Sequence, residues 1–158
     1  MPDMPLEQNI ADLLVSLNMT IAVAESCTGG LLAGALTDVS GISAVLDSGF
    51  VTYSNSAKES LLGVSSETLK SYGAVSEETA LEMIQGLKKR IGSDVAISIT
   101  GIAGPTGGSE EKPVGLVYIG IAFGDTYETH KFNFTGDRNR VRNYSVLQAL
   151  NLIRKKLL

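Results

Sequence analysis

Two short apolar runs, residues 20–24 and 95–100, each lead directly into a glycine-rich turn, and this pairing most constrains the fold. Runs of five or six residues are too short for a stable helix but long enough for a buried strand. The first is followed by Glu25-Ser26-Cys27-Thr28-Gly29-Gly30. Leu31, Leu32, Ala35, Leu36 and Val39 come next, at the spacing of one buried helical face. Strand, tight turn and helix in succession form the repeating unit of an α/β sheet.

The rest of the chain supplies elements around that unit. Leu6, Ile10, Leu13, Leu14 and Leu17 predict an opening amphipathic helix. Residues 49–54 read as a strand, and Asn55 as the cap of a short helix that carries Lys58 and ends at Leu62. Ser65 or Ser66 caps a further short turn before Gly73. Ser76, with Glu77 and Glu78 at the positive end of a helix dipole, starts a helix that buries Ala80, Met83, Ile84 and Leu87 and stops at Gly92. Residues 114–123 and 127–134 read as strands joined by a hairpin at Gly124-Asp125-Thr126. A last helix, residues 137–157, is expected to bury Val141, Tyr144, Leu147, Leu150 and Ile153. Five strands with helices between the first three predict one domain over residues 1–158, a three-layer α/β/α sandwich. Its sheet is expected to be mixed and mostly parallel, with one antiparallel pair near the end. Ligands of such sheets bind at the carboxyl ends of the parallel strands.

Composition narrows the functions open to such a domain. Hydrophobic residues make up 44% of the 158 residues, which excludes a disordered chain. With 13 Lys plus Arg against 17 Asp plus Glu, the chain has no excess of cations to neutralise a phosphate backbone, so no nucleic-acid partner is expected. One Cys and one His exclude an internal disulfide and a zinc site built on several thiolates. Asp47, Asp94 and Asp125 are scattered singly where turns use aspartate, and no metal or cofactor is expected. No run approaches the roughly 20 apolar residues of a membrane span, and Asp3, Glu7 and Asp12 stand where a secretory leader carries basic residues. The expectation is a cytoplasmic protein with no membrane partner.

Chemistry is concentrated in the turns. Ser26 lies where a strand gives way to a helix, so the amides of Thr28, Gly29 and Gly30 are candidates to hold a phosphate or a developing oxyanion. Ser26 or Thr28 serves equally well as a plain helix cap. Cys27 is an alternative nucleophile, or a buried packing residue. A serine nucleophile needs a base, and His130 lies in an alternating late strand, far in sequence from the glycine turns. Lys58, directly after a strand, is the better candidate if burial lowers its pKa, since only the neutral amine accepts a proton. The Ser-x-x-Lys spacing of Ser109 and Lys112 is discounted, because glycines precede it and Pro113 follows it. Gly101 and Gly104, in Gly101-Ile102-Ala103-Gly104-Pro105, suit either a nucleotide cradle or a tight turn. Arg138 and Arg142, four apart in a helix's first turns, oppose its dipole and suggest a phosphate clamp, unless Asp137 merely neutralises them.

Six ordered segments together resemble one family: Ala24-Glu25-Ser26-Cys27-Thr28-Gly29-Gly30, Gly49-Phe50-Val51-Thr52-Tyr53-Ser54-Asn55, Gly73-Ala74-Val75-Ser76, Thr100-Gly101-Ile102-Ala103-Gly104-Pro105, Lys112-Pro113-Val114-Gly115 and Gly136-Asp137-Arg138. The family is the CinA C-terminal domain, the nicotinamide-nucleotide amidases, and the resemblance covers nearly the whole chain. It implies a three-layer sandwich on a mixed five-stranded sheet, similar to anticodon-binding domains. It also implies hydrolysis of the carboxamide of nicotinamide mononucleotide to nicotinic acid mononucleotide and ammonia, in pyridine nucleotide recycling. Ser26 matches the family's nucleophile, Lys58 its general base and Tyr53 a supporting catalytic residue, which alternatively stacks on the pyridinium ring. The partner implied is a small pyridine nucleotide, with a homo-oligomer expected. The competing readings are a non-catalytic nucleotide-binding or competence-associated regulatory module, and a metal-dependent nucleotide pyrophosphatase, for which the acidic magnesium motif is missing.

Overall fold

A computed structural model describes residues 3–158. In chain order its elements are α1 (Leu6–Leu17), β1 (Ile21–Glu25), α2 (Leu31–Thr37), a 3-10 turn (Ile42–Ala44), β2 (Leu46–Val51), α3 (Asn55–Leu62), α4 (Ser66–Tyr72), α5 (Glu77–Ile91), β3 (Val95–Gly101), β4 (Leu116–Phe123), β5 (Thr126–Asn133) and α6 (Arg138–Leu157). The five strands form one sheet in the order β2-β1-β3-β4-β5. β1 pairs parallel with β2 and β3, while β4 pairs antiparallel with β3 and β5. Four strands therefore share a direction and β4 alone is reversed. The expected late hairpin is present, but because β4 lies beside β3 the sheet has two antiparallel pairings rather than one.

The two faces of the sheet are built differently. Ile21, Val23, Val95, Ile97, Ile99, Val117, Ile119 and Ile121 face α1, α2 and α6 in the larger core. The alternate positions are small: Ala22, Ala24, Ala96 and Ala122 face α5, joined by Ser98 and Gly120. α5 consequently lies very close to the sheet. Ser98 donates to the carbonyl of Ala80 at 2.8 Å, and a Cβ at Gly120 would come within 2.8 Å of that same oxygen. The central strands are thus buried on both sides and read as unbroken apolar runs.

Element boundaries shift where side-chain polarity misleads. β2 begins at Leu46, not at 49, because this edge strand buries only alternate residues and leaves Asp47 exposed. α3 is capped by Ser54, whose hydroxyl accepts from the amide of Ala57 at 3.0 Å, one residue before the expected Asn55. The turn near Ser65 is a full seven-residue helix capped by that serine. In α6, Tyr144 and Leu147 are 38% and 44% exposed, contrary to expectation. The buried stripe instead follows Val141, Ser145, Ala149, Ile153 and Leu157 at strict i+4 spacing. Ser145 is tolerated there because its hydroxyl donates back to the Val141 carbonyl at 2.7 Å.

The placement of α3 matters most for function. It packs on α5 through Gly86, where an added Cβ would lie 1.6 Å from the Leu62 carbonyl oxygen. Gly86→Ala must push the two helices apart, and it is expected to destabilise the fold by about 1–3 kcal/mol despite alanine's better helix propensity. A chemical denaturation midpoint unchanged or raised in that variant would contradict this packing.

Candidate active site

The carboxyl ends of the parallel strands converge on one edge. β1 ends in Glu25 and leads directly into Ser26. The Ser26 amide bonds the Ile99 carbonyl of β3 at 2.9 Å, and the Thr52 amide bonds the Glu25 carbonyl at 2.9 Å. Ser26 is therefore pinned between extensions of both neighbouring strands. The connection from β1 to β2 runs through α2 on one face, and that from β2 to β3 runs through α3–α5 on the other, which opens a crevice at β1.

In this crevice the α3 side chain of Lys58 reaches back under the edge. Its Nζ lies 3.0 Å from Ser26 Oγ, 2.8 Å from the Thr52 carbonyl and 3.3 Å from the Tyr53 carbonyl. Lys58 is 1% exposed, with no carboxylate bonded to its amine. Burial pushes its pKa below the ordinary lysine value, since the charged form loses its hydration. All three partners accept from the amine; once Lys58 is neutral, two N–H groups still serve the two carbonyls and the lone pair is available to the Ser26 hydroxyl proton. Cys27, also buried, has its thiol pushed up to about 12 by burial, outweighing the opposing pull of the Arg142 charge. A thiol held protonated in this way is poorly suited to attack, since the thiolate is the nucleophilic form.

These groups open onto a cleft of about 250 Å³ lined by Ser26, Cys27, Tyr53 and Lys58, by residues 74–75, by the 100–107 segment and by Arg138. Gly104, in that segment, has φ +80°, which disfavours any other residue, and a Cβ there would strike Val114. Arg138, at the start of α6, donates to the Gly104 carbonyl at 2.8 Å and to the Tyr53 hydroxyl at 3.1 Å. Tyr53 is 58% exposed at the mouth. None of the lining residues is acidic.

Four of the ten site residues expected from the sequence lie off the cleft. Ser26, Lys58, Tyr53, Gly101, Gly104 and Arg138 come together around the cleft, but Thr28, Gly29, Gly30 and Arg142 do not line it. The Gly29 amide is engaged by the Ser26 carbonyl at 3.0 Å. Arg142 is turned to the back of the turn, where Nε donates to the Cys27 carbonyl at 3.0 Å and a terminal nitrogen to the Thr28 carbonyl at 3.2 Å. Asp137 neutralises neither arginine, its carboxylate being taken up by the amide of Arg140 at 2.8 Å. His130 pairs with Glu128 on the edge strand β5, away from the cleft. Lys112 reaches the Tyr72 carbonyl, and Ser109 caps its own turn by accepting from the Lys112 amide.

Sequence reasoning missed Glu25. Its buried carboxylate accepts the amides of Leu32 at 2.8 Å and Ala33 at 3.0 Å, so the first turn of α2, just beyond the Thr28–Gly30 amides singled out from the sequence, already holds an anion of its own. The available signal was the absence of Ser, Thr, Asp or Asn just before Leu31, which leaves the helix in need of a cap from elsewhere.

A sequence model of the CinA C-terminal domain matches residues 3–157. The chain belongs to that family. It is 51% identical over 156 residues to a putative competence-damage inducible protein of Clostridium novyi, covering 99% of this chain and 38% of the relative. It is 50% identical over 153 residues to a CinA-like protein of Kosmotoga olearia, covering 97% of this chain and 37% of that one. The chain thus spans less than two-fifths of the length of these relatives. Among solved structures, a competence/damage inducible protein from Agrobacterium tumefaciens superposes with TM-score 0.91 at 42% identity and full coverage of both chains. One from Klebsiella pneumoniae gives 0.93 at 39% identity, covering 96% and 94%. The three-layer sandwich with a mixed sheet is the fold of these CinA structures. No helix among the described residues is long and apolar enough to cross a membrane.

The depressed pKa of Lys58 has a consequence for stability. In the unfolded chain the amine is protonated up to about its ordinary value of 10.5, and in the folded protein it releases its proton at lower pH. Between those two values the unfolded state binds more protons, so stability rises with pH. The wild type should therefore gain stability relative to Lys58→Met as pH rises through that window. Urea midpoints of both proteins measured from about pH 7 upward check this, and a constant difference would mean that Lys58 titrates normally.

Proposed function

We propose that the chain is a serine-lysine amidase that hydrolyses the carboxamide of nicotinamide mononucleotide, releasing ammonia and nicotinic acid mononucleotide. The observation that carries this reading is the buried Lys58 amine, held 3.0 Å from Ser26 Oγ with no bonded carboxylate. A module that only binds nucleotides gains nothing from burying an amine beside a hydroxyl, whereas a base that must be neutral gains its function from it.

In this mechanism Ser26 Oγ attacks the amide carbon as its proton passes to Lys58. The tetrahedral intermediate collapses, the C–N bond breaks, and Lys58 returns the proton to the departing nitrogen, which leaves as ammonia. Water then attacks the acyl ester, giving a proton to Lys58, and the serine is restored as the carboxylic product leaves. Charge developing on the carbonyl oxygen falls in a cleft lined by the 100–107 segment and free of acidic side chains. Arg138 is the cation at the mouth, suited to a substrate phosphate. Tyr53, bonded to it, is suited to stacking on the cationic pyridinium or passing a proton to the leaving group. The Thr28–Gly30 amides are given no part in this account: these residues do not line the cleft, and the Gly29 amide is engaged within its own turn.

Purified protein is expected to release ammonia from nicotinamide mononucleotide with EDTA present throughout. Ser26→Ala and Lys58→Ala should each lower kcat by at least about a thousand-fold, as loss of a nucleophile or its base does, while binding of the nucleotide to Ser26→Ala stays measurable by calorimetry. Undiminished turnover in Lys58→Ala would sink the mechanism. Loss of wild-type activity on adding EDTA would point to metal chemistry instead.

A further inference from the structure

The nucleophile sits at the first position of a β-turn closed by the Gly29 amide on the Ser26 carbonyl at 3.0 Å. The turn is Ser26-Cys27-Thr28-Gly29, and its closing bond leaves the central peptide, the Cys27 carbonyl with the Thr28 amide, without a partner inside the turn. That peptide is the one whose rotation interconverts turn types. Such a rotation changes the backbone angles of the residue following Ser26, and with them the direction in which the turn leaves the strand. A nucleophile needs its oxygen held within a fraction of an ångström of the productive position, so a rotating peptide beside it is a liability.

Two charged side chains from outside the cleft act on this turn. From α6, Arg142 places Nε on the Cys27 carbonyl and a terminal nitrogen on the Thr28 carbonyl, a fork across two successive peptides. The Thr28 carbonyl is held a second time, by the Leu31 amide at 3.0 Å. Gly29, with φ +58°, lies so close that a Cβ there would be 3.4 Å from the Arg142 guanidinium. From the strand side, Glu25 takes the amides of Leu32 and Ala33 and anchors the helix into which the turn feeds. The two charges are not paired with each other or with any other side chain; both are spent on backbone.

We propose that Arg142 is a positioning residue, not an anion-binding one: its guanidinium locks the central peptide of the nucleophile turn, with Glu25 anchoring the turn's far end. The role rests on Ser26 being the nucleophile of the amidase reading. Arg142 is distinct from Arg138, which alone of the two lines the cleft. A planar fork with two separated donors spans both carbonyls, whereas a lysine offers a single point of charge.

Two readouts test this. The first is kcat and KM for ammonia release from nicotinamide mononucleotide. The second is the rate at which phenylmethanesulfonyl fluoride labels Ser26, in which Oγ bonds to sulfur, fluoride leaves and the hydroxyl proton passes to Lys58. Arg142→Lys and Arg142→Ala should lower kcat by about ten- to a hundred-fold with KM within about three-fold of wild type, and labelling should slow in parallel. Methylguanidinium should partly restore both rates in Arg142→Ala but not in Arg142→Lys, whose side chain fills the space. Glu25→Gln, which keeps one acceptor for the two amides, should show the same kcat-directed loss. A rise in KM with kcat preserved would overturn the proposal and make Arg142 a substrate clamp, and labelling at wild-type rates in all three variants would overturn it outright. A wild type that is labelled but releases no ammonia removes the amidase substrate alone, and the variants' labelling rates still decide the lock. A wild type that is not labelled at all overturns both.

Discussion

A lysine amine buried without a counter-ion is the constraint around which this domain is organised. Burying a charge unpaired is costly, so the group's pKa falls below the ordinary lysine value, and its amine is held by two backbone carbonyls and one hydroxyl. The carbonyls belong to Thr52 and Tyr53, where the chain leaves β2 for α3, so the strand that ends beside Ser26 also provides the acceptors that orient its base. Ser26, at the end of β1, and Lys58, on the helix that follows β2, are thereby held 3.0 Å apart although 32 positions separate them in sequence.

That closeness depends on the uneven faces of the sheet. Small residues on one face let α5 settle on β1, β3 and β4, and α3 in turn rests on α5 at Gly86. Larger residues at Ala22, Ala96 or Gly120 would lift α5 and carry α3, with Lys58, away from Ser26. The opposite face carries the bulk of the apolar core and the helices α2 and α6, which bring Glu25's amide partners and Arg142 to the Ser26 turn. Each layer of the sandwich thus controls one part of the site: Lys58 from one side, the backbone around Ser26 from the other.

Much of this architecture was legible in the chain. The apolar runs at β1 and β3, the helical stripes of α1 and α5 and the hairpin between β4 and β5 follow from periodicity, because burial on one or both faces imposes it. Legibility failed where burial is partial or polar groups are internally satisfied. β2 is an edge strand whose exposed Asp47 masks its start, and the i+4 stripe of α6 passes through Ser145, whose hydroxyl is paid for within its own helix. In the site, Ser26, Lys58 and Arg138 stood out by residue type and by position beside turns. Glu25 did not, since a carboxylate that caps a helix seven residues later leaves no local spacing signature.

The sequence by itself determined the α/β class and the positions of the strands and glycine turns, because these follow from hydrophobic period, and it marked Ser26 and Lys58 as candidates in a chain with one His and one Cys, their pairing being what the family resemblance implied. Tertiary structure alone decided which of two similarly placed arginines faces the cleft, that the start of α2 is filled by Glu25, and that Lys58 is buried. Those outcomes turn on direction and desolvation. Two side chains four residues apart on one helix lie at different depths against the sheet, and whether a group keeps water depends on what other segments bring over it, which residue order along the chain does not encode locally.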